Sequence, residues 1–223
     1  MKKTPLIVLA PLIILLPVGC PTPAGNNPAP PSDPGTGGVV QQQNNLFVSQ
    51  PNGEYDFLTN DSAYQGTNGY TLWALPLPGQ TVFTKRDVTL TKSGGNGYAG
   101  YGIVFCQYDT GNPSLGETML VAMINTQQQY SVGEATGSVY TRYTSSTWVQ
   151  STVLGKGYGV PNDVKITRDS SGLFTLTLNA VIVMTFRDGR IPLQTGGGDG
   201  YLAVISPQDS FPGTPVTVTY KDN

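Results

Sequence analysis

Apolar and polar side chains alternate with a period of two along most of this chain, and no segment sustains the 3.6-residue period of an amphipathic helix. In Asp87 to Lys92, Val88 and Leu90 are set against Asp87, Thr89 and Thr91. In Phe174 to Asn179, Phe174, Leu176 and Leu178 are set against Thr175, Thr177 and Asn179. Each is the pattern of a strand with one buried face. Further strands are predicted at Thr71 to Leu75, Val82 to Arg86, Tyr101 to Tyr108, Met119 to Asn125, Tyr130 to Glu134, Val164 to Arg168, Val181 to Asp188, Tyr201 to Ser206 and Val216 to Lys221. Turn signals such as Ser93-Gly94-Gly95-Asn96-Gly97 and Ser170-Ser171-Gly172 separate them. Ten or more strands with such turns predict an all-β fold, an antiparallel two-sheet β-sandwich. Alternation alone leaves the pairing order open.

The first forty residues follow other rules. Met1-Lys2-Lys3 is a positive start, Thr4 to Leu16 is an apolar run, and Pro17-Val18-Gly19-Cys20 follows at once. Thirteen apolar residues are short of the ~20 that a membrane-spanning helix needs. Pro5 and Pro11 further disfavour a long helix. A cleaved signal peptide over residues 1–19 is therefore expected. The Gly19-Cys20 junction resembles the bacterial lipobox, although Pro17 stands where Leu is usual. That resemblance implies a diacylglyceryl thioether on Cys20 and a lipoprotein held in the bilayer; ordinary secretion with cleavage nearby is the alternative. Each buried CH₂ adds about 0.8 kcal/mol to membrane partitioning, so two or more acyl chains anchor stably where one does not.

Residues 20–38 carry Pro at 21, 23, 28, 30, 31 and 34 and almost no apolar side chains. Such a segment cannot repay the entropy of ordering and reads as a tether. Pro21 stands where many inner-membrane lipoproteins have Asp, which points to the outer membrane or cell surface. Residues 39–223 are left as one domain, long enough to build a core without disulfide staples. With Lys2 and Lys3 removed, ten basic side chains face fourteen acidic ones, and histidine is absent. No basic stripe is left for nucleic acid. The commonest general base and zinc ligand is also missing. Cys106, inside an apolar strand, reads as a small buried hydrophobe.

From Gly100 to Ile205 the order Gly-Tyr-Gly-Ile-Val-Phe (100 to 105), Met-Leu-Val-Ala-Met-Ile-Asn (119 to 125), Tyr-Ser-Val-Gly (130 to 133), Trp148, Val164 to Arg168, Phe174 to Asn179 and Gly200 to Ile205 resembles concanavalin A-like jelly rolls of the laminin-G and glucanase type. The resemblance covers about 120 residues. It implies a recognition fold shared by lectins, adhesive modules and glycoside hydrolases. Fold alone does not choose among them.

Glu occurs only at 54, 117 and 134, and no Glu-x-Asp-x-x-Glu string exists. Two-carboxylate hydrolysis needs groups roughly 5 to 9.5 Å apart. With no such pair in the sequence, the expectation is a non-enzymatic, monomeric envelope lipoprotein that binds a glycan or protein and needs no cofactor. A structural lipoprotein without ligand and a diverged glycoside hydrolase are the alternatives. Aromatic planes that stack on sugars and amides that bond hydroxyls make Trp73, Tyr101, Gln107, Asn125 and Trp148 the candidate ligand contacts, Trp148 being the one most suited to a structural role. Asp109, Asn112 and Asp199 could offer oxygens to calcium, but no dense Asp loop accompanies them and no metal site is expected.

Overall fold

A computed structural model describes residues 46–65, 70–77, 82–109, 117–136, 139–191 and 198–223. The expected signal peptide (1–19), Cys20, the expected tether (20–38), residues 39–45 and Asn112 lie outside the described residues, as do the side chains of Asp109 and Glu117.

Two antiparallel seven-stranded sheets face each other. Sheet A runs in the order β1 (Phe47–Ser49), β2 (Tyr55–Thr59), β14 (Val216–Asp222), β4 (Lys85–Gly94), β10 (Asn162–Arg168), β11 (Phe174–Leu178) and β12 (Val181–Phe186). Sheet B runs β3 (Thr71–Leu77), β13 (Asp199–Ile205), β5 (Tyr101–Asp109), β6 (Glu117–Asn125), β7 (Gln129–Thr136) and β8 (Val139–Arg142), with β9 (Val149–Gln150) paired to β7. This is the sandwich that the alternation predicts. Of the segments expected at Val82 to Arg86 and Asp87 to Lys92, residues 85–92 belong to one continuous strand, β4, while Val82 to Thr84 precede it. Strands β1, β2, β8 and β9, short or polar, were not anticipated.

The inward parity of each strand builds the core. Val88 and Leu90 of β4, Val164 and Ile166 of β10, and Phe174, Leu176 and Leu178 of β11 meet Tyr101, Ile103 and Phe105 of β5 and Leu120, Ala122 and Ile124 of β6. Rings continue the contact along the seam: Phe83 on Phe105, Phe105 on Phe174, Phe174 stacked on Phe186 and Phe186 on Tyr143. Each fully buried large side chain contributes about 1.5–3 kcal/mol. Polar pins join the sheets as well. Tyr220 donates its hydroxyl to the Leu202 carbonyl at 2.7 Å, and Arg86 lies 3.3 Å from Asp199.

Local chemistry sets the registers. Between β10 and β11, Asp169 Oδ1 accepts from the amides of Ser171 and Leu173, and Gly172 takes a left-handed φ of 80°. Between β11 and β12 the two-residue turn Asn179-Ala180 has φ of 47° and 67°, the positive values that suit the twist of a hairpin. Asn179 tolerates this conformation; Ala180 bears strain there.

Candidate functional site

The outward parity of the sheets differs between them. Asp87, Thr89, Asp163, Lys165, Thr175, Thr177 and Thr219 cover the outside of sheet A, linked by Lys85–Asp87 at 3.0 Å and by Thr89 donating to Asp163 at 2.6 Å. On sheet B the outward side chains are apolar and buried: Leu72, Val104, Met119, Val121, Met123, Leu202 and Val204 form a second cluster, with Tyr70, Tyr140 and Trp148 packed against it.

A groove of about 80 Å³ opens at one end of this face. Its walls are Tyr70, ahead of β3; Tyr98, in the β4–β5 loop; Tyr140 of β8; and Trp148, just before β9. Met123, Leu72 and Val204 supply apolar floor. Two glycines let the rings lie close to the sheet. A Cβ at Gly100 would meet Met123 Sδ and Trp148 Cη2 at 3.0 Å, and one at Gly133 would meet the Tyr140 ring at 2.6 Å. Tyr140 and Ser131 share a hydrogen bond of 2.8 Å, and burial pushes the Tyr140 hydroxyl up to about 12. Ser146 donates to the Trp148 carbonyl at 2.6 Å and Thr144 to the Ser146 carbonyl at 2.8 Å, which fixes the segment that presents Trp148. Tyr98 is 58% exposed.

The 94–100 loop that carries Tyr98 and Gly100 is tied from below. Lys92 Nζ donates to the carbonyls of Asn96 (2.8 Å) and Ala99 (3.0 Å). Asp209 accepts from the amides of Asn96 and Ser206. Thr126 donates its amide and hydroxyl to the Gly97 carbonyl, and Tyr158 donates to that of Gly95.

Of the five side chains named from sequence, the groove takes in Trp148, the one most suited to a structural role. Trp73 faces the core side of β3, edge-on to Tyr64 at 5.4 Å. Tyr101 is fully buried between the sheets. Asn125 is buried too, its Oδ1 accepting the amides of Gln127 and Gln129 to hold the β6–β7 turn. Gln107 is half-buried, lies within the β-bulge of β5 and sits against Gly198. Tyr70, Tyr98 and Tyr140 were not singled out. Tyr98, a lone aromatic within a Gly-rich turn, was the available signal.

A second polar cluster occupies the seam beside β7 and β12. Glu134 Oε2 and Asp188 Oδ2 each lie 2.5 Å from Arg190 Nη2, so the two carboxylates approach within about 5 Å of each other. The Tyr143 hydroxyl lies within hydrogen-bonding reach of both and has one proton to give to either, and Tyr108 donates to Glu134 at 3.3 Å. Hydrogen bonds from Arg190 hold the Asp188 carboxyl down near 2, against the effect of its burial. Asp199, considered for calcium, is engaged by Arg86, and burial raises its carboxyl above the usual range.

No family model and no curated protein matches the sequence. Solved structures share the fold. A native glycosidic hydrolase is 12% identical, with 81% of this chain and 86% of that one covered and a TM-score of 0.50. LamA from Z. galactanivorans, in complex with laminaritriose and laminaritetraose, is 9% identical, with 78% and 79% covered and a TM-score of 0.50. A carbohydrate-binding module from Bacillus subtilis is 9% identical, with 78% and 87% covered and a TM-score of 0.47. The fold is the jelly-roll sandwich that the sequence resemblance implied. The expectation that the chain is not an enzyme is corrected. Hydrolases are among the proteins of this fold, and the carboxylates of Glu134 and Asp188, scattered in sequence, converge in space. Identities of 9–12% assign no activity of their own.

Proposed function

We propose that this protein recognises a glycan in the aromatic groove on the outer face of sheet B. The observation that carries the reading is the gathering of Tyr70, Tyr98, Tyr140 and Trp148 around one apolar groove. A pyranose ring offers an apolar C–H face and a rim of hydroxyls. Aromatic planes cover the first, and the hydroxyl rim is left facing out of the groove toward water. The fold is one on which LamA holds laminari-oligosaccharides, which makes glycans the first ligand class to test. The same proposal places the domain at the bacterial envelope, tethered by residues 20–38 to lipid on Cys20.

The test is a glycan array probed with the full chain. We expect binding to at least one glycan, weakened tenfold or more by Trp148→Ala and by Tyr98→Ala without loss of the folded state, since a central aromatic contact carries about 2 kcal/mol. Binding to no glycan, or equal affinity in both variants, would refute the reading. Reducing-sugar release from the bound glycans, compared with Glu134→Gln and Asp188→Asn, decides whether binding leads to turnover. For the anchor, labelled fatty acid should enter the wild type and not Cys20→Ala.

A further inference from the structure

Lys92 is an unusual core residue. It occupies an inward position of β4 beyond Val88 and Leu90, and it is 1% exposed. A buried ammonium is costly unless fully engaged. Its two carbonyl partners both belong to the 94–100 loop, with Asn96 before Tyr98 and Ala99 before Gly100. The amine thus sits beneath the part of the chain that supplies one wall of the groove and the glycine against which Trp148 lies.

We propose that Lys92 is a positioning residue for the aromatic groove, and that gain or loss of its proton sets how firmly the 94–100 loop, with Tyr98 and Gly100, is held beside Trp148. The inference rests on the groove being the binding site, and the loop itself can be observed without any ligand. Charged and aromatic groups from several elements face the amine and its loop. The Asp209 carboxylate, between β13 and β14, favours the charged form. The Tyr101 ring of β5 lies 5.8 Å away. Tyr158, between β9 and β10, bonds the loop at Gly95. Burial lowers the Lys92 amine to about 8 and raises the Tyr101 hydroxyl to about 12; it raises Tyr158 as well. Lys92 is therefore the group of this set that changes charge between pH 8 and 10.

The sign follows from linkage. With the loop closed, the amine releases its proton near pH 8; exposed to water in an opened loop, it does so near 10.5. The open form holds the proton more tightly, so raising the pH through this window favours closure and lowering it favours opening. Below about pH 8 both forms are charged, and the tendency to open levels off at its greatest value.

Hydrogen exchange of the full chain reads this directly, through protection factors of the Asn96, Tyr98 and Ala99 amides corrected for the intrinsic pH dependence. We expect protection in the wild type to rise on the order of tenfold between pH 7.5 and 9.5. In Lys92→Met, which keeps the length of the side chain, that rise should vanish. In Asp209→Asn, where no carboxylate favours the ammonium, the rise should begin at lower pH. A wild type flat across the window, a rise that persists in Lys92→Met, or a profile unmoved in Asp209→Asn would each overturn the proposal. Should Lys92→Met not fold, the wild-type and Asp209→Asn profiles still decide it. A glycan array without binders removes the function assigned to the groove and leaves these exchange profiles as they are.

Discussion

The outer faces of the two sheets are made by the same device, a strand whose alternate residues point away from the core, and they end in opposite chemistry. On sheet A the outward positions of β4, β10 and β11 hold Thr, Asp and Lys, and the face meets water through ion pairs and hydroxyls. On sheet B the outward positions of β5, β6 and β13 hold Val, Met and Leu and are buried. A sheet polar on one side is what a sandwich requires. A sheet apolar on both sides has a second surface committed to packing, and the groove with its four rings occurs on that surface. Surplus hydrophobicity, not surplus charge, marks the face on which the proposed binding groove lies.

The comparison can be broken most severely by placing one carboxylate on each face. Val121→Asp puts a charge at a fully buried outward position of β6 and should cost about 3 kcal/mol or more. Thr177→Asp, across from Lys165 on sheet A, should change stability by less than about 0.5 kcal/mol. Urea denaturation of the two variants measures the contrast. Equal effects would mean that the two faces do not differ as described.

A milder change sharpens the description of sheet B. In Gly133→Ala the new methyl meets the Thr141 carbonyl and the Tyr140 ring, each at 2.6 Å. The expected cost is about 1–3 kcal/mol, with displacement of the ring and weaker glycan binding. Thermal denaturation alongside the array tests both parts, and a neutral substitution would show that Tyr140 does not rest on the sheet. A small gain is expected on sheet A. Ala180→Gly relieves the positive φ at the β11–β12 turn, and part of that gain is lost to the greater freedom of Gly when unfolded. A net gain of about 0.5 kcal/mol is expected by urea titration, and a destabilised variant would contradict the strain assigned to Ala180.

How much of this was legible in the sequence depends on which side of a strand is asked about. Asp87 to Lys92 and Phe174 to Asn179 announce both their strand character and their polar side, because water contact selects Thr and Asp at alternate positions. Met119 to Ile124 announces a strand and hides its sides, since Leu120 and Val121 are equally apolar while one faces the core and the other the outer cluster. The groove was harder still. Tyr70, Tyr98, Tyr140 and Trp148 come from four separate segments, and only the pairing of β3 with β13, β5 with β6 and β6 with β7 and β8 brings them to one end of one sheet. Trp73 and Tyr101 looked equally suitable as rings, but their parity turns them inward. Glu134 of β7 in sheet B and Asp188, just after β12 of sheet A, meet for a similar reason, with the exposed Arg190 bridging the two.

The last two strands have a consequence for the order in which the molecule can come into being. β13 lies between β3 and β5, and β14 between β2 and β4, so each sheet is divided until residues 199 to 222 arrive. A chain made from its amino end has neither sheet whole while it is being synthesised, and its most distant pairings form last. Such a polypeptide can close neither sheet before β13 and β14 have been made. It also leaves no tolerance for loss of these two strands: a chain that stops before residue 199 lacks an interior strand from both halves of the sandwich at once, rather than a dispensable edge from one.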